Sequence, residues 1–581
     1  MPEPTNSEIA TAFEELGDLY ELDGAVNYRV LAYRAAARAV REASVSVARL
    51  AREGRATELS GIGKTLEQKI LDLADDGTIP ATKKLRAKYP TGLIDVMTLP
   101  GFGPKRARRL YDELGVDSLE ALRAAAEQQR IRKLRGFGAR VEEQILSALE
   151  QTKGGRPGPR VLLHRALAVG EAVVEALRAH PAAERVELAG SARRMADSVK
   201  DLDIIATASD RSALAGVLDG LDLVESVGSS GEAGARARTH SGLTIDLKIS
   251  EPDQFGNLLQ HFTGSKEHNV ALREAAVRRG LHVSEYGILD DATQTTHRCA
   301  TEEEVYALLD LAYIPPELRE GRGELEAAQD GGRGLPKLIE LGDLRGDLHC
   351  HTIASDGRAT IAEMAEAARA LGYEYLAITD HSATHGFGND VSPDELRRQI
   401  ERVRELDSRT EGITLLAGSE VNVLPDGSLD YDDDLLAELD WVIASVHSSF
   451  AIGSERMTAR VVAAIEHPLT DAIGHPTGRK IEQRPPYALD MERVIEAAAA
   501  TGTMLEINAA PDRRDLSDIH ARAAAAAGVL IAIDSDAHST RNLELIRWGI
   551  ATARRAWLTP AQVANTRSWP ELSALRPRAR T

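Results

Sequence analysis

Seven short apolar runs follow residue 341, at 344–350, 375–379, 413–420, 441–446, 471–474, 503–507 and 529–534, with stretches of helical periodicity between them. Strand-length runs alternating with helices bury both faces of a parallel sheet, and this many units predicts a (β/α) barrel or a distorted relative of one. In such a barrel the carboxyl ends of all strands open onto one face. Here those ends, or the turns just after them, carry His349, His351, Asp356, His381, Glu420, His447, His475, Asp536 and His538. These nine residues are expected to converge. Imidazole and carboxylate without thiolate suit Zn2+, Mn2+ or Fe2+ rather than a closed cysteine site. Cys350 alternates away from its two neighbours and is expected to be packing. His467 and His520 lie in helical surroundings and are read as surface or packing histidines.

The chain's 581 residues allow roughly three to five domains. Two cysteines, Cys299 and Cys350, are too few for a disulfide framework. With no apolar run of about 18 residues and a polar, acidic beginning, neither a membrane span nor a signal peptide is expected, and a cytoplasmic location follows. The formal charge of −20 at first argues against a nucleic-acid partner. The excess acid lies beyond residue 150, however. Residues 1–150 are neutral on balance and hold the basic stretches 105–109 and 130–135, so DNA contact is permitted there. Gly- and Pro-rich breaks at Gln151–Arg160 and Glu320–Pro336 set the expected divisions: a helical domain over 1–150, an α+β domain with an antiparallel sheet over 151–320, a linker over 321–343 and the barrel over 344–581.

Within the helical region a short pattern occurs three times, as Leu59-Ser-Gly61-Ile-Gly63, Leu99-Pro-Gly101-Phe-Gly103 and Leu134-Arg-Gly136-Phe-Gly138, each before a helical stretch. Paired glycines about one apolar residue permit a tight turn whose backbone N–H groups face outward at a helix start, a seat for phosphate. Such a seat reads backbone rather than bases. Lys105 and Arg106 directly follow the second copy, where a strand would pass.

In the middle region Gly190-Ser191-Ala-Arg-Arg194 precedes Asp201-Leu-Asp203, and Asp246 lies inside a later strand-like run. Residues i and i+2 of a strand share a face, so Asp201 and Asp203 stand side by side, and a neighbouring strand can add Asp246. Three clustered carboxylates repel one another unless divalent cations bind between them, which suits Mg2+ or Mn2+ and phosphoryl transfer. Ser191 and Arg194, at a turn begun by Gly190, are placed to hold a triphosphate.

The three glycine clips resemble helix-hairpin-helix DNA-binding motifs. The Gly-Ser turn with its three aspartates resembles the nucleotidyltransferase signature of family X DNA polymerases, and the histidine-rich strand ends resemble the PHP domain. The fold so implied is a helix-hairpin-helix domain, a DNA polymerase beta-like palm and thumb, and a distorted seven-stranded PHP barrel. By this resemblance Gln260–Arg273 is the nucleotide-binding segment, with Phe262 and Gly264 near the incoming sugar, Asn269 at the base edge and Arg273 on the template side. His261 stands where better-known members have Tyr. Asp201 and Asp203 would hold both polymerase cations and Asp246 the catalytic one, while Lys69 matches a Schiff-base lysine of lyase domains. The PHP resemblance implies up to three divalent cations, with Glu420 bridging. The implied activity is gap filling with dNTPs on gapped or primed DNA in base excision repair, by a monomer, with 3′-end hydrolysis such as 3′–5′ exonuclease action. Two alternatives stay open: a small-molecule phosphoesterase with a vestigial polymerase, and a DNA-end scaffold with a structural barrel.

Overall fold

The computed structural model describes residues 3–97, 99, 103–151, 160–384, 386 and 389–577. The chain divides into two compact units, the first comprising Met1–Val161, Ala168–Glu187 and Lys200–Ser250, the second Leu162–Leu167, Leu188–Val199 and Glu251–Thr581. Among the described residues no helix is long and apolar enough to cross a membrane.

The first unit opens with helix Asn6–Leu22, which starts at a reciprocal cap: Thr5 Oγ1 accepts from Glu8 N, and the Glu8 carboxylate accepts from Thr5 N at 2.8 Å. Its apolar face, with Phe13, Leu16 and Leu19, meets Val40, Ile70, Leu93 and Leu110 from later helices in one core. Helices Lys64–Asp76, Pro104–Leu114 and Ala139–Gln151 each begin directly after one of the three glycine repeats.

The same unit contains a five-stranded sheet of β1 (Ala183–Leu188), β2 (Asp201–Ala208), β3 (Val224–Gly231), β4 (Gly234–Thr239) and β5 (Thr244–Ser250), in the order β1-β2-β5-β4-β3. β5-β4 and β4-β3 are antiparallel, but β2 and β5 run parallel, which corrects the expectation of a wholly antiparallel sheet. The reason is visible in Ile204-Ile205-Ala206, which is buried on both faces as parallel strands require.

The second unit includes helices Phe255–Thr263 and Lys266–Val277 and a core of Leu272, Tyr306, Leu309, Ile314 and Leu318. The stretch 320–336, expected to be an open linker, adds Leu325 and Ala328 to this core and forms the helical turn Glu324–Ala327. What holds it is polar: buried Glu324 accepts from His268 Nδ1 at 2.7 Å and from the backbone N–H of Gly321 at 2.8 Å. Most of the other expected break, residues 152–159, lies outside the described residues.

The barrel strands are β6 (Gly346–Cys350), β7 (Tyr375–Ile378), β8 (Thr414–Asn422), β9 (Trp441–Ser445), β10 (Ala472–Ile473), β11 (Met504–Asn508) and β12 (Ile531–Asp534). Neighbours follow chain order and every pair is parallel. A bridge between Cys350 and Ala537 brings the segment after β12 back to β6. Every residue of β6, β7, β9 and β11 is buried, which is why these strands read as short apolar runs rather than alternating ones.

A buried ion network fixes the turn that precedes Asp201 and Asp203 in the chain. Arg319, fully buried, pairs with Glu302 at 2.5 Å, and Glu302 also accepts from Arg193 at 2.7 Å. Burial would raise the Glu302 carboxyl, but the two guanidinium groups hold it below its ordinary range. Breaking a buried pair from one side costs about 3–5 kcal/mol. Arg319→Met is therefore expected to lower unfolding stability by about that amount, read from the denaturant midpoint, and a shift well under 1 kcal/mol would count against the network.

Candidate functional site

The three candidate aspartates, Asp201, Asp203 and Asp246, sit on β2 and β5. Parallel register places Asp203 directly beside Asp246 and Asp201 beside Thr244. Asp201 and Asp203 flank fully buried Leu202, so both aspartates face the more open side. Arg236, opposite Asp246 on β4, brings its Nε to 3.7 Å from that carboxylate. Sequence reasoning missed Arg236, because its position depends on the β4-β5 register. The donors are all oxygen, the set that suits Mg2+ or Mn2+.

Gly190 has φ +63° and opens the short helix Gly190–Arg193. Ser191 O accepts from Ala196 N at 3.0 Å, which closes the turn. Arg194 donates from Nε to Glu320 at 3.0 Å and from Nη1 to the Thr263 carbonyl at 2.5 Å. Gly264 lies close to that guanidinium, since a Cβ there would stand 3.2 Å from Arg194 Nη1. Asn269, expected at a base edge, donates to the His261 carbonyl at 2.8 Å and accepts from Gln260 at 2.9 Å. Arg273 reaches His261 Nδ1 at 3.4 Å, and the ring of His261 lies 5.2 Å from that of Phe262. Behind this segment Tyr306 Oη lies 2.9 Å from His268 Nε2, the histidine whose Nδ1 faces Glu324. Burial keeps His268 below its ordinary pKa, so a neutral ring donates from Nδ1 and accepts from the tyrosine.

The glycine clips repeat in geometry as well as sequence. Gly61 and Gly136 have φ of +90° and +87°, while Gly63 and Gly103 begin their helices extended, at φ −94° and −100°. At Gly63, Gly103, Gly136 and Gly138 an added Cβ would meet nothing within 4 Å. Packing inside the chain therefore does not require glycine at Gly63, Gly103 or Gly138, although an approaching ligand would. Gly101 lies outside the described residues. Lys105 and Arg106 are exposed, and Lys69 is half-buried on helix Lys64–Asp76.

All nine histidine and carboxylate candidates of the barrel meet at one end of it. Glu420 Oε2 lies 2.7 Å from His381 Nδ1 and 3.4 Å from His349 Nε2, and its Oε1 lies 2.9 Å from His475 and 3.1 Å from His447. Asp536 reaches His351 at 3.1 Å, and Asp356 reaches His538 at 3.2 Å and His381 at 3.6 Å. Three groups have atoms close enough to share an ion: His351, Asp356, His381 and His538; His349, His351 and Asp536; His381, Glu420 and His447. Buried His349 Nε2, His351 Nδ1, His475 Nδ1 and Glu420 Oε2 make no hydrogen bond, an arrangement that fits cations better than an empty polar pocket. Burial opposes charge on His381, yet Glu420 and Asp356 push it up to about 10, while burial beside Arg513 takes His475 down to about 3.

A supporting layer was not legible in the sequence. Glu506 accepts from His349 Nδ1 at 2.7 Å and from His475 N at 2.5 Å, fixing the ring and the strand end together. Asp380 accepts from Thr352 N at 2.7 Å and from Ser355 Oγ at 2.6 Å, which builds the turn that presents Asp356. Gly357 closes this turn, because a Cβ there would lie 2.5 Å from the His351 carbonyl. His475 and Asp536 are both left-handed, at φ +28° and +53°. A cavity of about 340 Å3 opens on the cluster and is lined also by Phe450, Lys480, Arg484 and Arg513. Arg484 stacks over Phe450 at 4.2 Å, and Arg513 lies 3.9 Å from Asp536. Cys350 is fully buried and its thiol donates to the Ala377 carbonyl.

Comparison with known proteins agrees with this geometry. Residues 4–79 match a helix-hairpin-helix domain, 93–151 a SAM-like helix-hairpin-helix tandem, 258–320 a DNA polymerase beta thumb and 347–510 a PHP domain. The DNA polymerase/3′-5′ exonuclease PolX of Bacillus subtilis is 37% identical over 569 residues, 98% of each chain. The chain belongs to the bacterial family X DNA polymerases that carry a PHP domain. The PHP part is also similar to probable phosphatases from Thermoanaerobacter sp. (33% identity; 38% of this chain, 89% of the relative) and Syntrophotalea carbinolica (28%; 38% and 90%). This polymerase therefore couples a nucleotidyltransferase to a hydrolase fold whose clustered side chains can hold several divalent ions.

A ligand present at a hundredfold over its Kd stabilises a native state by about 2.7 kcal/mol. Adding Mn2+ to chelator-stripped protein is expected to raise the unfolding temperature of the barrel, and Glu420→Gln should remove most of that rise. An undiminished rise in the variant would mean that the ion binds elsewhere.

Proposed function

We propose that this polymerase fills short gaps in DNA as a monomer and that its barrel trims 3′ ends in the 3′ to 5′ direction. The observation that carries the reading is the completeness of both constellations in one chain: the Asp203–Asp246 register pair beside Asp201, and nine converging barrel residues. The two activities are also named together in the B. subtilis relative.

Divalent cations, Mg2+ or Mn2+ at the aspartates and up to three of Mn2+, Zn2+ or Fe2+ in the barrel, supply charge neutralisation at phosphorus when bound. At the polymerase site Asp246 takes the proton of the primer 3′ hydroxyl, while Ser191 and Arg194 hold the departing pyrophosphate. To do so Arg194 exchanges its pairing with Glu320 for the nucleotide. Phe262 and Gly264 line the sugar, with Asn269 and Arg273 on the base and template side. In the barrel Lys480, Arg484 and Arg513 hold the phosphodiester anion, and Phe450 offers an apolar face to the terminal base. Gapped DNA is seated through the backbone amides at Gly61, Gly63, Gly103, Gly136 and Gly138, with Lys105 and Arg106 on phosphates. The open space at four of those glycines supports this seating. Lys69, on the helix that follows the first clip, is the candidate lyase amine.

The test is a single-nucleotide gapped duplex incubated with Mg2+ or Mn2+, with and without dNTPs. Asp246→Asn should cut nucleotide addition by on the order of a thousandfold or more, in keeping with loss of a group essential to the transition state, while duplex binding stays nearly intact. His349→Ala with His351→Ala should abolish 3′ resection and leave addition in place. Full synthesis by the first variant, or full resection by the second, would remove the corresponding assignment.

A further inference from the structure

We propose that the barrel also shapes the triphosphate turn, and that Arg555, with Arg514 and Arg479, positions that turn for nucleotide addition. This rests on the reading that residues 190–194 hold the triphosphate. From residue 194 to residue 198 the chain is tied to barrel side chains at four positions. Arg555, the last residue of helix Ile546–Arg555, donates from Nη1 to the Arg194 carbonyl at 2.8 Å and to Glu320 at 2.7 Å. Arg514 donates to the Met195 carbonyl at 3.0 Å, Arg479 pairs with Asp197 at 2.8 Å, and Ser198 donates to Glu482 at 3.1 Å. None of these barrel residues belongs to the metal cluster.

Two of these anchors are buried: Arg514 is 1% exposed and Arg555 8%, and a buried guanidinium is held by its carboxylate partners because breaking such a pair from one side is costly. Arg555 also pairs with Asp518 at 2.9 Å, and Arg514 donates to Thr552 at 2.8 Å, so both are fixed from the barrel side. On the other side Met195 has φ +57°, a left-handed conformation that is strained for a non-glycine residue. Its carbonyl is the one that Arg514 grips. The strained residue directly follows Arg194, so the aim of that side chain depends on the grip.

Glu320 links the two ends of the device. One of its oxygens accepts from both Arg555 and Arg194, so a single carboxylate is divided between a barrel cation and the cation meant for the nucleotide. Without Arg555, Glu320 would bind Arg194 alone and hold it back from an incoming triphosphate, and the Arg194 carbonyl would lose its donor. The consequence falls on nucleotide affinity rather than on the chemical step, because Arg555 acts on the turn that holds the triphosphate and, among the described contacts, on no residue of the metal cluster.

Full-length R555A, R555K, R194A and R322A proteins decide the matter. The assays are single-nucleotide incorporation on a gapped duplex for KM and kcat, 3′-end hydrolysis, and thermal unfolding. Arg322 pairs with Asp518 but has no bond to residues 194–198 among the described contacts, so R322A serves as the control. R555A is expected to raise the dNTP KM about tenfold, the size of one lost charged hydrogen bond, with kcat and hydrolysis within about twofold. R555K should restore most of the loss, R194A should raise KM at least as much as R555A, and R322A should leave it unchanged. An unchanged KM in folded R555A, with a raised KM in R194A, overturns the positioning role and leaves the triphosphate reading standing. An unchanged KM in R194A removes that reading and the proposal with it. If both activities and the unfolding temperature fall together in R555A and R555K, Arg555 is merely structural and the proposal is overturned. Should R555A not fold, R555K decides, with a KM rise of about threefold expected from a weakened charged hydrogen bond and no rise counting as refutation.

Discussion

Glu420 is the residue on which the barrel's polar end depends. Five imidazoles lie within 3.6 Å of its two oxygens, and it is almost wholly buried. Burial alone would neutralise the carboxyl, but His447, His381 and His349 hold it well below its ordinary range. Glu420 and Asp356 push His381 up to about 10 against its burial, whereas burial and the charges of His381 and His538 take His351 down to about 4. Such a set is costly to leave half satisfied, because each member's charge is stabilised only by the others. Glu506 and Asp380 serve it by fixing ring orientation and the turn before Asp356, so the strand ends can differ little in position without loosening the whole.

The barrel was almost fully legible in the sequence, and the reason is physical. Parallel strands buried on both faces produce short apolar runs, and their carboxyl ends share one face, so a list of polar residues at those ends is already a list of neighbours. Glu506 escaped notice because it lies inside such a run, between Leu505 and Ile507, with nothing in its spacing to separate a supporting carboxylate from a ligand. Lys480, Arg484, Arg513 and Phe450 were missed because loop residues reach the cavity through tertiary folding rather than periodicity. In the sheet, the two aspartates of β2 were placed by alternation alone. The direction of β5 was not, since a seven-residue strand is as compatible with one orientation as the other. The packing of residues 320–336 was not legible for a different reason: composition gave no sign that Glu324 would be buried against His268.

The net charge of −20 is compatible with a DNA-acting enzyme because the charge is unevenly distributed. Buried carboxylates such as Asp347, Glu420, Glu506 and Asp534 count toward the total without facing solvent. The helical region, where the clips lie, is neutral on balance, and on the proposed reading its affinity for DNA comes from backbone amides and a few exposed cations, with salt acting through the cations.

The left-handed backbone at His475 and Asp536 carries one more consequence. Glycine would relax the chain at either position, worth about 1–2 kcal/mol each, but it would remove a side chain from the histidine–carboxylate cluster. Selection for backbone stability and selection for the cluster therefore pull against each other at these two residues. In a lineage where the barrel survives only as scaffold, these are the positions where drift toward glycine should begin.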